Sequence, residues 1–478
     1  MNGFIGRESE LSHLERVYRE ERIKTCMIYG RRRIGKTALL AEFASDKPNL
    51  FVEFDDALPA TNLEILDKVL SDHTGTEVKS PSMRHSMDVI YGICASEKGM
   101  VVIFDELPYL TSRFKPAASE LQHLVDRLVR DTDAMVIVCG SSISLMIDEV
   151  FRTDKPLFGR FMFCIHLQPF SLEEVRGFHP SVPDRDLLNL YLVLGGITAY
   201  HSLVGDHGFR ESMNRYILNR FGFIQSDILH TISTEVRGRG PEISSIFKSI
   251  VAGDNAYGAI RNRTGISETE LTRCMDILMT TDMVRKVDCM LKPKKSKMYE
   301  IADPMTSFYY SVVDRNRTVL ENCSGDVYEG FSQLVSSHLG KVFEQYCRDF
   351  VSKCYTCSMI GTWWGPAPII KGGSPVVEDD GRILMEDADI DVVAIIRRGN
   401  DRINLFGECK YTNAPMGFGT FNTLKGRVES LKGSYNSRFA LFSVSGFTDE
   451  LVEYATENGV LLFDLDILVG RRPAPEII

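Results

Sequence analysis

The eight residues from Gly30 to Thr37, GRRRIGKT, constrain the chain more than any other stretch. They fit Gly-x4-Gly-Lys-Ser/Thr and lie between an apolar run, TCMIY, and a helix-forming run, KTALLAEFA. Such a loop needs a strand to enter it and a helix to leave it. Its backbone N–H groups must turn inward, and the helix N-terminus must add positive potential where phosphates sit. The expectation is a parallel α/β sheet whose triphosphate site comprises Gly30, Arg31, Arg32, Arg33, Ile34, Gly35, Lys36, Thr37 and Ala38. Lys36 is placed on the β- and γ-phosphates and Thr37 on Mg2+, so ATP and Mg2+ are the implied cofactors.

A second apolar run, VVIF, ends in Asp105-Glu106, where the C-terminal end of a parallel strand meets its ligand. Asp105 is expected to hold Mg2+ through water, and Glu106 to polarise the attacking water. A third run, AMVIVCGSS, delivers Ser141 as a sensor of the γ-phosphate.

Together FIGRESEL, GRRRIGKT, FDELPYL, VCGSS and PLFGRF resemble the archaeal-type ATPases of the AAA+/STAND group. The resemblance implies that Ile5, Gly6 and Arg7 lie against the adenine. It also implies that Arg160 faces the phosphates as an arginine finger, in cis or, in an oligomer, in trans. Where that family usually shows Gly-Gly-x-Pro, this chain has LGGITAY, with Thr198 in the place of proline.

Beyond residue 232 the pattern is helix, turn, helix, then two short strands around a basic turn, which is the pattern of a winged helix. Ser267 and Glu270 resemble a capping box, and Leu271, Cys274, Met275 and Leu278 give the last helix an apolar face. Residues 285–297 carry six basic side chains against one acidic, so Lys292, Lys294, Lys295 and Lys297 are candidates for DNA phosphates. The competing reading is a packing module whose lysines only solvate a loop.

In the last third, DIDVVAIIRRGNDRINLFGECKY reads as two strands joined by a polar turn. Alternation puts Asp389 with Asp391 and Glu408 with Lys410, with Ile390, Val392, Leu405 and Cys409 on the opposite, core-facing sides. A helix carrying Glu344 precedes them. A helix near 418–432, a strand FALFSV, a second helix and a strand VLLFDL follow. GKVFEQYC, WWG, DIDVVA and FGECKY resemble the PD-(D/E)XK nuclease fold, in the DUF234-type domain often fused to these ATPases. The resemblance implies Asp391, Glu408 and Lys410 as the catalytic set, with Glu344 as the helix-borne acid. Asp391 and Glu408 are then the metal-holding pair for one or two Mg2+.

A chain of 478 residues is too long for one core. The expected division is a P-loop ATPase core at 1–170, a helical lid at 171–232, a winged helix at 233–330 and a restriction-endonuclease-like α/β domain at 331–478. The net charge of −10 argues against a protein coated in nucleic acid, and the basic turn localises any contact. No apolar run approaches a membrane span and the N-terminus lacks a signal core, so a cytoplasmic location is expected. The eleven cysteines form no regular framework, and reduced, mostly buried thiols are expected. The function expected is an ATP-hydrolysing switch coupled to a Mg2+-dependent nuclease acting on DNA. The alternative is a nucleotide-switched DNA-binding regulator or scaffold whose last domain does not cleave.

Overall fold

The computed structural model describes residues 4–236, 239–291, 297–323, 325–399, 401–431 and 436–477. They fall into two compact units. One comprises Met1–Phe178, Gly196–Leu203 and Thr231–Arg237, and the other His179–Gly195, Val204–His230 and Gly238–Ile478. Among the described residues no helix is long and apolar enough to cross a membrane.

The first unit is built on five parallel strands: β1 (Thr25–Tyr29), β2 (Asn49–Glu53), β3 (Val101–Asp105), β4 (Met135–Gly140) and β5 (Phe163–His166). Their order is β2-β3-β4-β1-β5. Every residue of β3 and β4 is buried, as continuous apolar runs covered on both faces of a parallel sheet require. The loops leaving β1, β3 and β4 open at the same, C-terminal edge, and these are the loops that carry the phosphate-binding sequence, Asp105-Glu106 and Ser141. Helix Lys36–Ala44 begins directly after Gly35, whose φ of 90° reverses the chain at the helix N-terminus.

The second unit holds three helices, Gly240–Val251, Tyr257–Thr264 and Glu268–Thr280, followed by an antiparallel hairpin of β6 (Val284–Asp288) and β7 (Lys297–Ile301). Ser267 caps the third helix by accepting the Glu270 N–H. Lys292, Lys294 and Lys295 lie outside the described residues. Lys297 opens β7 and pairs with Asp288 at 3.5 Å.

A 28-residue helix, Val327–Cys354, leads into β8 (Cys357–Pro368), the short pair β9 (Ile370–Lys371) and β10 (Ser374–Pro375), then β11 (Met385–Arg398) and β12 (Asp401–Lys410). Helix Phe418–Glu429, β13 (Ser437–Ser443), helix Asp449–Asn458 and β14 (Leu461–Phe463) complete a mixed sheet of order β14-β13-β12-β11-β8. The helix expected near 418–432 thus ends at Glu429.

Both faces of this sheet are buried. Ile390, Val393, Phe406 and Leu441 pack with Phe421, Leu424 and Leu451 of the two later helices. On the other face, Phe442 stacks on Phe463, which meets Phe350 of the long helix. The alternation expected along β11 breaks at one place. Ile390 pairs with Trp363 and Val393 with Gly361, so Asp391 and Val392 together oppose Thr362. This bulge sets Val393, not Val392, on the face of Ile390, and corrects the simple alternation read from the sequence. Glu408 and Lys410 continue the face of Phe406, while Cys409 lies on the side of the long helix, beside Cys347.

The hairpin is seated on β8 through a close backbone approach. Met290 N–H donates to the Thr362 carbonyl at 2.8 Å, and a Cβ on Gly361 would lie 2.3 Å from the Asp288 carbonyl oxygen. Gly361→Ala must therefore force the two backbones apart. The expected outcome is a loss of about 1–3 kcal/mol in denaturant unfolding, the usual cost of overpacking. Unchanged stability would contradict this seating.

Candidate functional site

Two clusters of polar side chains stand out, one in each unit. At the first, the phosphate-binding loop is held open by glycines and by Arg33, whose φ is 65°. A Cβ on Gly30 would lie 2.4 Å from the Leu167 carbonyl oxygen, so only glycine fits there. Lys36 Nζ donates to the carbonyls of Gly30 (3.1 Å) and Arg31 (2.9 Å), which keeps the ammonium inside the curve of the loop. Thr37 Oγ1 donates to Asp105 Oδ2 at 2.7 Å, bringing together the two residues expected at the cation.

Glu106 adopts a left-handed backbone, with φ 52°, and its carboxylate accepts from the backbone N–H of Ser141 at 3.0 Å and its hydroxyl at 2.9 Å. A non-glycine residue in that region costs energy and persists only where the surroundings enforce it. Glu53, opposite Asp105 in the sheet register, has its carboxyl pushed up by burial and by Asp105 and Glu106. The donor set fits a nucleotide with Mg2+: a lysine and helix N-terminus for phosphates, and a hydroxyl beside a carboxylate for the cation.

The segments implied at the base are placed as follows. Arg7 is buried and donates to the carbonyls of Ile34 (3.1 Å) and Gln168 (2.7 Å), with its guanidinium over the Phe170 ring. Ile5 fills the space left by Gly177, and Gly6 lies against Phe170. Arg160 pairs with Asp126 at 3.3 Å and donates to the Phe158 carbonyl. Thr198, at the position usually held by proline, donates its hydroxyl to the Arg33 carbonyl at 2.9 Å and so ties its segment to the phosphate loop.

The second cluster gathers Glu344, Asp389, Asp391, Glu408 and Lys410 within electrostatic reach of one another. Lys410 Nζ contacts Glu408 Oε1 at 2.6 Å, and Asp391 Oδ2 accepts the Cys409 N–H at 2.7 Å. Burial pushes the Glu344 carboxyl up to about 7, with Asp389 and Glu408 adding to the rise and Arg348 and Lys410 opposing it. Burial likewise holds Asp391 well above the carboxylate range, reinforced by Glu408 and Glu344. Lys410 loses stability as a cation through burial, but Glu408 and Asp391 outweigh this and keep it charged.

Among the described residues no three His, Cys, Asp or Glu side chains converge into a metal cage. Mg2+ does not require one, since it keeps several waters and is usually bound by one or two carboxylates. Glu408 and Glu344 hold the buried Asp391 carboxyl up, an effect that a cation bound at Asp391 and Glu408 would relieve, so the donor set suits such an ion.

Sequence reasoning missed Arg348. Its Nη1 donates to the Asp391 carbonyl at 3.2 Å and its Nη2 to Glu300 Oε2 at 2.6 Å, linking the carboxylate cluster to β7. Its spacing of four from Glu344 on one helix was the available signal. All eleven cysteines are free thiols; Cys354 is exposed and Cys357 half-buried.

Residues 4–200 match the family model of an ATPase domain predominantly from Archaea. Residues 309–422 match DUF234, which covers archaeal and bacterial proteins of unknown function. An uncharacterized protein of Methanocaldococcus jannaschii is 24% identical over 481 positions, covering 97% of this chain and 99% of its own length. An uncharacterized ATP-binding protein of the same organism is 43% identical over 44 residues, 9% of this chain and 75% of its own. Among solved structures, a Walker-type ATPase of Pyrococcus abyssi superposes with a TM-score of 0.51 at 19% identity, covering 64% of this chain and 96% of its own. That likeness is one of fold.

The raised pKa of Glu344 has a measurable consequence. Between the ordinary carboxyl value of 4.5 and about 7 the folded chain keeps a proton that the unfolded chain has lost. Its contribution to stability is full below the unfolded value and disappears as pH rises through about 7. Glu344→Gln, which cannot ionise, is expected to melt progressively higher than wild type as pH goes from 5 to 8. Parallel melting profiles for the two proteins would contradict the assignment.

Proposed function

We propose that this chain, whose residues 4–200 match an ATPase domain predominantly from Archaea, is an ATP-controlled, Mg2+-dependent nuclease acting on DNA. The observation that carries the reading is the second cluster: the carboxyls of Asp391 and Glu344, both held above the usual range, stand near Glu408, with the Lys410 ammonium fixed 2.6 Å from Glu408. A structural ion pair needs only Glu408 and Lys410. It gives no reason to set the buried Asp391 and the half-buried Glu344 beside them, where negative charge is costly.

In this reading Asp391 and Glu408 hold the cation. Bound there, Mg2+ would supply an activated water and neutralise charge on the phosphate. Lys410, kept protonated by Glu408 and Asp391, donates to the phosphoryl oxygen on which charge develops, or orients the attacking water. Glu344 supplies a carboxyl from the helix that ionises near neutral pH, and Arg348, one turn on, fixes the position of the Asp391 backbone.

In the ATPase unit Lys36 binds the β- and γ-phosphates, Thr37 and Asp105 serve the cation, Glu106 orients water and Ser141 reports the γ-phosphate to Glu106. Arg160 supplies transition-state charge once released from Asp126. Binding of ATP must exchange the Lys36 and Thr37 contacts for contacts to the nucleotide. That differential interaction is what a switch between two states requires. The β6–β7 hairpin and its basic turn, read as a wing, contact the DNA backbone, and this part of the affinity falls with salt.

Three variants test the proposal. Lys410→Ala is expected to abolish Mg2+-dependent cleavage, by a factor of roughly a hundred or more as for lost transition-state donors, while ATP binding persists. Lys36→Ala is expected to abolish ATP binding and the nucleotide dependence of cleavage. If Lys410→Ala and Glu408→Ala leave the biological output intact while Lys36→Ala removes it, the chain is a nucleotide-switched regulator and the last domain a scaffold.

A further inference from the structure

The C-terminal unit contains a cavity of about 480 Å³ that begins at the carboxylate cluster. One wall is a continuous face of the helix Val327–Cys354, running from Leu334 through His338 and Lys341 to Glu344. The hairpin strand β7 forms another wall, and Asp389 and Asp391 lie at the sheet end. Apolar and aromatic side chains, among them Val312, Val342, Tyr299 and Trp364, line the space between.

His338 has a polar atom that the protein leaves unsatisfied. The residue is 4% exposed, and its Nε2 has no hydrogen-bond partner among the described residues. Its Nδ1 lies 2.8 Å from Ser311 Oγ, whose own proton goes to the Ser307 carbonyl at 2.7 Å. Nδ1 is therefore the donor of that pair, and Nε2 carries a bare lone pair. The ring is neutral, because burial and then Lys341 push its pKa down to about 3. A buried acceptor without a donor is costly and in native proteins is normally satisfied, but this one is closed off from the open space of the cavity.

Two cations on the lining, Arg315 and Lys341, are exposed, and among the described residues neither has a carboxylate partner. The lining therefore offers apolar and aromatic surface, unpaired positive charge, and carboxylates at one end. We infer that the cavity takes one unpaired nucleotide of a nucleic-acid strand: the base lies against the apolar and aromatic walls, and the backbone phosphates meet Lys341 and Arg315.

The size supports a single strand. A space of this volume is on the order of 8 Å across, too small to admit a duplex, whose major groove alone is about 12 Å wide. Enzymes that act on nucleotides inside a tight pocket take them unpaired, either from single strands or by extrusion from a duplex. The inference rests on the nuclease reading for the placement of the phosphodiester at Asp391, and it names the substrate as a strand with an unpaired end or gap.

The test is binding by the full chain, with Ca2+ in place of Mg2+ so that cleavage does not enter the measurement. Fluorescence anisotropy compares a labelled oligothymidylate, a blunt duplex, and a duplex with a single-stranded extension, with thymidine monophosphate as competitor. Expected are tighter binding of the strand and the extended duplex than of the blunt duplex, and weak competition by the mononucleotide. Leu334→Trp, which fills the cavity without changing charge, is expected to weaken strand binding about tenfold or more, as loss of one stacked base does. Lys341→Glu is expected to do the same, and both variants should keep wild-type ATP affinity. Blunt duplex bound as tightly as the strand, or strand binding unaffected by Leu334→Trp, overturns the inference. Thymidine monophosphate competing as well as the strand overturns it in favour of a free-nucleotide site. Failure to cleave with Mg2+ would remove the nuclease reading and leave the binding result standing.

Discussion

The Arg348 guanidinium is the joint on which the C-terminal unit depends. It donates to the Asp391 carbonyl and to Glu300 of β7, and it is the strongest charge opposing the rise of the Glu344 pKa. Glu300 also receives Arg285, which reaches on to Asp349 of the same long helix as Arg348. Removing the buried Arg348 from this network is destabilising, because the Asp391 carbonyl and the half-buried Glu300 then lose their shared donor. The hairpin, the long helix and the bulged strand β11 are thus bound into one arrangement by charge as well as by packing. The bulge matters because it turns Asp391 so that its carboxylate reaches the Cys409 N–H while its carbonyl remains available to Arg348.

The ATPase unit shows a different economy. Its key side chains engage one another: Lys36 with the loop carbonyls, Thr37 with Asp105, Glu106 with Ser141, Thr198 with Arg33. Glu235 extends the same network. Its carboxyl is pushed up by burial, and it accepts from Ser142 at 3.4 Å directly after the Ser141 position. A nucleotide entering this loop therefore competes with a set of hydrogen bonds that spans three sheet loops and two later segments of the chain. Contacts made in one state and exchanged in the other are the physical basis of a population shift.

The sequence disclosed the parts of both sites whose chemistry is local. Lys36, Thr37 and Asp105-Glu106 stand at fixed distances from apolar runs, and the strand and helix around them follow from those runs. Glu408 and Lys410 were legible because two charges two apart on a buried strand demand an explanation. What the sequence hid is non-local. Nothing in DIDVVA marks a bulge, since its alternation reads equally well without one, and the faces of Val392 and Val393 follow only from pairing with β8. Arg348 reads as an ordinary helix arginine until Glu300, 48 positions earlier, is folded against it. Thr198 reads as a missing proline until its hydroxyl is seen on Arg33. The wing lysines at 292, 294 and 295 remain a sequence-level expectation, with only Lys297 of that group among the described residues.

In the proposed function the carboxyls of Asp391, Glu408 and Glu344 are kept together for a cation at which nucleic acid is cut under nucleotide control. The most direct measurement is cleavage of labelled single-stranded and duplex DNA by the wild-type chain during titration with Mg2+ or Mn2+, with and without ATP. The expected result is metal-saturable cleavage whose rate changes between the two nucleotide states. Intact DNA and RNA substrates at every metal concentration and in every nucleotide state would contradict it.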